Sequence, residues 1–300
     1  MRLTTCITTR NAPDRLETCL QAIWNSQVKP HSAVVSDDSQ ASEMQEINRQ
    51  IVEKYPGTTY ILGPQRGVNA NRNCAVNSFS DTDLIAFVDD DIWIDPDFVA
   101  VALDVYTKMP PEEQQSTFIT GISYAKPNSA GIPLESKPTK LSFRGYYQST
   151  TDDPECVHIH AAVFPRKFFN EEQWEEKIFF GQGDAILCLR ARSRGYRIKY
   201  CDALRALNTR PEGGTLAKKT IGELTDYDIH QIAARLYIGT KRYRDFFPNP
   251  LKLLVFWIVY FSHIHVYLLR RGAVTAWPLI MERSQIKQLL NSPRETSIAH

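Results

Sequence analysis

Three consecutive carboxylates, Asp89, Asp90 and Asp91, follow directly on the apolar run Leu84-Ile85-Ala86-Phe87-Val88. An unbroken apolar run of this length reads as a strand buried on both faces, as in a parallel sheet. Sheets of that kind bind ligands beyond the carboxyl ends of their strands. Carboxylates crowded there repel one another unless a cation intervenes. Hard oxygen donors with no His or Cys beside them suit Mg2+ or Mn2+, ions that commonly bridge to phosphate. Taken alone, the stretch is equally a solvated acidic loop, with Asp95 capping the next helix.

The elements needed to hold such a site are legible upstream. Leu3 to Thr9 is short, apolar and β-branched, a first strand, and Arg10-Asn11-Ala12-Pro13-Asp14 starts a helix with Leu16, Leu20, Ile23 and Trp24 on one face. Ala33-Val34-Val35 is a second strand that stops at Ser36-Asp37-Asp38-Ser39, a helix covers about 42–55, and Pro56-Gly57 closes it. Thr59 to Leu62 is a third strand, and a helix over Asn69 to Phe79 leads into the acidic strand. The βαβαβαβ order predicts an α/β fold with a mostly parallel, doubly wound sheet. Further on, strands are expected at 118–122, 157–164 and 196–201, a helix at 184–194, and a polar loop at 128–140.

Composition narrows the class. The 300 residues carry 35 Lys plus Arg against 34 Asp plus Glu, so no excess charge argues for nucleic acid as a partner. The six cysteines are scattered without a CxxC pair, which fits a reduced compartment rather than disulfides or structural zinc. With a start that lacks the longer apolar core of a signal peptide, the expected location is cytoplasmic.

One late segment stands apart. Leu251 to Leu269 is nearly all apolar or aromatic, with cations on both sides (Lys241, Arg242 and Arg244 before it, Arg270 and Arg271 after). Its length is near the lower limit for crossing a bilayer, and Lys252, His263 and His265 weaken a span. A helix lying on anionic headgroups through 251–271 accounts for the composition better, and a helix buried against the rest of the chain or a partner is the alternative. The expected arrangement is therefore a catalytic unit over 1–215, with halves at about 1–110 and 111–215, and a helical, membrane-associated extension over 216–300.

Four polar clusters fall at strand ends or helix starts: Thr8 to Asn11, Asp37-Asp38, Arg66-Gly67 with Asn69 to Asn73, and Asp89 to Asp91. Each alone could be a turn or a helix cap. Their coincidence on one edge is harder to attribute to capping. Their order resembles the family 2 nucleotide-sugar glycosyltransferases with a GT-A fold, over roughly residues 3 to 203. Thr8-Thr9-Arg10-Asn11 looks like that family's Thr-x-x-Asn-Arg-like strand end, and Val35-Ser36-Asp37-Asp38-Ser39 its Val-x-Asp-Asp-Gly-Ser segment. Gly67-Val68-Asn69-Ala70-Asn71-Arg72-Asn73 looks like its Gly-x-x-x-Ala-Arg-Asn helix start, and Asp89-Asp90-Asp91 its Asp-x-Asp signature.

The resemblance implies roles. Thr9, Asn11, Asp37, Asp38, Arg72, Asp89 and Asp90 would contact the nucleotide, with Asp37 or Asp38 accepting from the base and Arg72 near the diphosphate. Asp89 and Asp91 would hold Mg2+ or Mn2+, Asp91 the more directly. Phe180-Gly181-Gln182-Gly183-Asp184, followed by Leu187 and Arg190, is similar to the family's Gly-Glu-Asp-x-x-Leu-x-x-Arg helix start, so Asp184 would be the general base. Gly183 stands where the family usually carries Glu. His158 and His160 read as core or acceptor-cleft residues, Trp174, Phe179 and Phe180 as core or sugar-stacking aromatics, and Asn208 and Arg210 as weak metal or phosphate candidates.

The implied activity is inverting transfer of a sugar from a UDP-, dTDP- or GDP-sugar to an acceptor hydroxyl of a glycan or lipid-linked molecule, in polysaccharide or glycolipid synthesis. A non-catalytic nucleotide-sugar-binding relative is the alternative that Gly183 suggests. A metal-dependent nucleotidyltransferase is the other, and the glycine-rich phosphate loop it needs after the first strand is absent.

Overall fold

The computed structural model describes residues 1–125, 134–209 and 219–295. Strands β1 (Leu3–Thr9), β2 (Ser32–Asp37), β3 (Thr58–Leu62) and β4 (Leu84–Asp89) lie parallel in the order β3-β2-β1-β4. Helices α1 (Pro13–Trp24), α2 (Ser42–Glu53) and α3 (Val68–Asn77) make the crossovers. Proline at the first turn of α1 loses no helical hydrogen bond. That helix buries Leu16, Cys19, Leu20 and Ile23, the spacing of a single face.

The sheet continues with mixed polarity. After β5 (Ile92–Ile94), α4 (Phe98–Thr107) and α5 (Pro111–Gln114) come β6 (Thr117–Ala125), β7 (Leu134–Ser136), β8 (Thr139–Leu141), β9 (Tyr147–Ser149) and β10 (Ala162–Pro165). Then follow α6 (Arg166–Glu171), α7 (Gly183–Ser193) and β11 (Arg197–Asn208). β10 inserts antiparallel between β4 and β6, β6 runs parallel with β11, and β5 closes the edge against β11. The full order is β3-β2-β1-β4-β10-β6-β11-β5, with β7 paired to β6.

Alternation along each strand feeds two cores. Leu3 and Ile7 join Leu84, Ala86 and Val88 on the side of α1, α2 and α4. Cys6, Ile85 and Phe87 face the other way, toward α7 and the C-terminal helices. Those helices follow the short β12 (Lys219–Ile221) and β13 (Leu224–Thr225): α8 (Asp226–Lys241), α9 (Pro250–Arg270), α10 (Trp277–Arg283) and α11 (Ile286–Asn291). A reciprocal cap starts α8, the Asp228 amide donating to the Thr225 hydroxyl at 3.1 Å and the Thr225 amide to Asp228 Oδ2 at 2.9 Å. α8 is buried over most of its length and packs with α9 into the same core as Phe87, Phe118 and Trp174.

Three local expectations are revised. Of the polar loop at 128–140, residues 126–133 lie outside the described residues. Its remainder forms β7 and β8, the latter paired with β9 as a hairpin. The strand expected at 157–164 is only β10, preceded by a 3-10 turn at Ile159–Ala161, because the His158 amide donates to the Thr120 hydroxyl at 2.9 Å instead of a strand ladder. The strand expected to end at 201 runs on to Asn208 through an irregularity between Tyr200 and Arg205.

A buried ion network ties α8 to the sheet side of the molecule. Lys241 Nζ, 1% exposed, lies 2.5 Å from Glu175 Oε2 and 2.5 Å from Glu295 Oε1. Tyr237 donates to the same Glu175 oxygen at 2.9 Å, and Arg190 Nη2 approaches it at 3.3 Å. Burial alone would raise the Glu175 carboxyl, but Lys241 and Arg190 outweigh it and pull it down to about 2. A depressed carboxylate stabilises the fold fully above its unfolded value near 4.5, and that stability is lost as pH falls toward 2. Lys241→Met is expected to cost about 3 kcal/mol at pH 7 in urea unfolding and to flatten the acid limb of stability between pH 4.5 and about 2.

Candidate active site

The carboxyl ends of β1, β2 and β4 meet the N-termini of α3 and α7, and every carboxylate predicted for the site sits there. Asp89 ends β4. Its Oδ1 accepts from the Thr8 hydroxyl at 2.8 Å, and Arg72 Nη2 reaches Oδ1 and Oδ2 at 3.1 and 3.0 Å. His160 Nε2 lies 3.6 Å from Oδ2. Burial would raise this carboxyl, yet Arg72, His160 and Thr8 together hold it well below the usual carboxylate range. Asp89 is therefore a fixed anion.

Its two neighbours differ in direction. Asp90 turns toward α1, where Oδ2 accepts from the Thr9 hydroxyl at 2.9 Å and Oδ1 from Arg15 Nε at 3.1 Å. Burial outweighs Arg15 and Thr9 and pushes Asp90 up to about 6. Thr9 and Asp90, both expected to contact the nucleotide, thus bond each other across the ends of β1 and β4. Asp91 is buried, and its carbonyl takes the Thr209 amide at 2.9 Å and hydroxyl at 2.8 Å, fixing the turn after β4 to the end of β11. Among the described residues no three His, Cys, Asp or Glu side chains gather around one point as a metal cage. Asp89 and Asp91 supply the hard oxygen donors that Mg2+ or Mn2+ takes, an ion class that commonly completes its shell with phosphate and water.

The Asp37-Asp38 pair also divides. Asp37 is fully buried, with Oδ1 accepting from the Ser39 amide at 2.8 Å and Oδ2 from Asn48 at 2.9 Å and Tyr60 at 2.8 Å. It holds the turn after β2 and has no face left for a base, contrary to the expectation that either Asp could serve. Asp38 Oδ1 accepts from the Gln65 amide at 2.9 Å, and burial pushes its carboxyl up against the pull of that amide and Arg10. Asn11 adopts a left-handed φ of 52° and its amide donates to Ser39 at 2.8 Å. Its observed role is to shape the turn between β1 and α1.

Asparagines on α3 explain how the two halves are joined. Asn71 donates to the Ser36 carbonyl at 3.0 Å, Asn73 to the Trp174 carbonyl at 3.0 Å, and Asn69 to the Glu175 carbonyl at 2.8 Å. The Trp174 amide donates back to Asn73 Oδ1 at 2.8 Å. Arg72 stacks over the Trp174 ring at 4.8 Å. The segment before α7 is thereby fastened to the helix that carries Arg72.

Asp184 lies in the first turn of α7, where a helix N-terminus favours an anion. Tyr147 of β9 donates to its Oδ1 at 2.8 Å. Withdrawal from water raises the Asp184 carboxyl, opposed by the Tyr147 hydroxyl, the Ala185 amide, Arg72 and His160. Arg72 and His160 are electrostatic neighbours of Asp89 and Asp184 alike, so the two carboxylates lie in one region of the molecule. Gly183 has a local reason: a Cβ there would sit 2.7 Å from Asn69 Oδ1 and 2.8 Å from its Nδ2. The amide of Asn69 fills the space that a larger residue at 183 would need.

Other candidates sort by burial. Trp174 is core, Phe179 is exposed against the His230 ring at 5.5 Å, and Phe180 meets Tyr227 at 5.7 Å. The His158 and His160 rings lie 5.1 Å apart, and burial beside His160 pulls His158 down to about 3, so it is neutral. His263 and His265 belong to α9, Asn208 ends β11, and Arg210 lies outside the described residues. Sequence reasoning missed Tyr147, which sits in a hairpin without a readable code, and underrated His160, whose place beside Asp89 depends on pairing across the sheet.

A model of the family described as glycosyl transferase family 2 matches residues 4–171. The chain belongs to that family. The matched stretch holds β1 through α6, including every strand-end carboxylate described above. The glycosyltransferase GlyA of Streptococcus pneumoniae serotype 4 is 28% identical over 131 residues, covering 44% of this chain and 18% of that protein. Among solved structures, S. aureus TarS 1–349 in complex with UDP-GlcNAc superposes with a TM-score of 0.55 at 16% identity, over 97% of this chain and 79% of that one. The mannosyltransferase PcManGT from Pyrobaculum calidifontis, in complex with GDP-Man and Mn2+, gives 0.59 at 15% identity over 97% and 78%. GalNAc-T7 with UDP, GalNAc and Mn2+ gives 0.60 at 10% identity over 98% and 58%. The chain has the GT-A fold of these structures.

The Asn69–Gly183 contact predicts a coupled pair. Gly183→Glu is expected to lower stability by about 1–3 kcal/mol through overpacking. Combined with Asn69→Ala it should cost less than the sum of the two single changes in a thermal-unfolding cycle.

Proposed function

We propose that this glycosyltransferase moves a sugar from a nucleotide-sugar donor to an acceptor hydroxyl with inversion, Asp184 acting as general base. What carries the reading is Arg72, which bonds both oxygens of Asp89 and also pulls on the carboxyl of Asp184, itself held by the Tyr147 hydroxyl at 2.8 Å. Asp184 takes the acceptor hydroxyl proton while the oxygen attacks the anomeric carbon. The bond to the diphosphate breaks on the opposite side, so one displacement inverts the configuration. Asp38 is the residue assigned to the base of the nucleotide, being the one of its pair that does not face wholly inward.

Asp89 and Asp91 would hold Mg2+ or Mn2+, which would offset charge gathering on the departing nucleoside diphosphate. The donor class is a UDP-, dTDP- or GDP-sugar, supported by the UDP-, UDP-GlcNAc- and GDP-Man-bound structures of the same fold. The acceptor assigned is a glycan or lipid-linked hydroxyl, as in polysaccharide or glycolipid synthesis.

A panel of nucleotide sugars with Mn2+ and candidate acceptors tests this directly. Release of nucleoside diphosphate that falls by roughly 10²–10⁴ in Asp184→Asn is expected. Binding without turnover on every donor and acceptor would leave a non-catalytic relative. Tyr147→Phe should shift the acid limb of the rate profile to higher pH. Its hydroxyl favours the ionised base, so removing it raises a carboxyl already raised by burial. A limb that stays put or moves down would count against Asp184 as the titrating base.

A further inference from the structure

Helix α9 is the one helix among the described residues long and apolar enough to cross a bilayer by length and composition. Its inward face is a single line, Phe256, Tyr260, Ile264 and Leu268. That line is locked to α8. Tyr260 donates to the Ile232 carbonyl at 2.8 Å, and Trp257 Nε1 to the Thr240 hydroxyl at 3.0 Å. The Phe256 ring lies where any Cβ on Gly239 would fall, 2.1 Å from it, so this approach needs the glycine. The outward face is apolar as well: Leu251, Leu254, Val255, Ile258, Val266 and Leu269 are all exposed, Leu251 by 70% and Ile258 by 58%. At three, four, seven, fifteen and eighteen residues from Leu251, they form one stripe along the helix, with Ser262 and His265 exposed on the same side.

Charge tells what covers that stripe. No Asp or Glu occurs between residues 246 and 281, while Lys252 at the start of α9 and Arg270 at its end are exposed. Arg271, just beyond, bonds Glu223 at 2.9 Å. An apolar stripe bracketed by cations, on a helix that itself carries no acidic residue, complements a bilayer surface bearing anionic headgroups. A second copy fits worse. At ~1.5 Å per residue the helix is ~30 Å long, so a stripe ~10 Å wide would bury only ~600 Å² from both copies, below the ~1,200 Å² of stable pairs. A spanning helix is also disfavoured, because α8 is fastened along α9 and would carry Asp226, Asp228 and Arg235 into hydrocarbon.

We propose that the exposed face of α9 seats this transferase on an anionic lipid surface, with the helix lying in the plane of the headgroups. The docking rests on the outward face alone and is independent of which donor or acceptor the cleft takes.

Co-sedimentation of the full chain with phosphatidylglycerol-containing vesicles and with phosphatidylcholine vesicles tests it. The expected result is binding at least tenfold stronger to the anionic vesicles, weakened by raised salt, and lowered at least tenfold in Leu254→Glu with Ile258→Glu. Both positions are exposed, and unchanged thermal unfolding of the variant shows that folding is not the cause. As a second readout, an environment-sensitive dye on Ile258→Cys should shift to the blue with anionic vesicles. The proposal is overturned by equal or no binding to the two lipids, by pelleting that resists high salt and alkaline carbonate, or by a stable dimer that the double substitution dissociates.

Discussion

A single buried guanidinium organises the cleft. Arg72 lies flat over Trp174 and grips both oxygens of Asp89, so it fixes the anion at the end of β4 and the aromatic floor of the segment before α7 together. Arginine suits this better than lysine, since its planar fork can stack and bond at once. With His160 Nε2 3.6 Å from Oδ2 and the Thr8 hydroxyl on Oδ1, the ionised state of Asp89 is set by the protein itself. The charge pattern of the site follows from that arrangement, because Arg72 also pulls on the Asp184 carboxyl.

The neighbours of Arg72 on α3 do mechanical work that the fold could not do otherwise. A strand end and a distant loop have no ladder to share, and buried carbonyls of the loop need donors. Asn69 and Asn73 supply them at Glu175 and Trp174, while Asn71, next to the arginine, holds the Ser36 carbonyl of β2. The sheet supplies rigidity from one face, and α8 supplies it from the other through Glu175. Helix α7, which carries Asp184, is thus positioned by contacts remote from that carboxylate.

Much of the first half was readable because local patterns agree with the tertiary result. Leu3–Thr9 is a strand at the bounds its composition indicates, and the helices at Pro13, Ser42 and Val68 start where prolines, serines and glycines place them. Residue types at strand ends pointed to the right edge of the sheet. Orientation was not readable. Nothing in Asp37-Asp38 or Asp89-Asp90 says which side chain turns inward, since adjacent strand residues alternate and the turn geometry decides the rest. Tyr147 and His160 reach the cleft through pairings across more than thirty residues, which periodicity does not encode. Gly183 looked like a defect against the family pattern until Asn69 was seen in the space beside it.

The ion network at Glu175 bears on how this protein can be handled. Asn69 bonds the Glu175 carbonyl, and Lys241 and Tyr237 of α8 bond its side chain. The C-terminal helices are therefore a buttress of the catalytic body, not a detachable tail. A shortened version cut before α8 to remove the greasy helix would strip the cleft wall of its backing, whatever it gained in solubility.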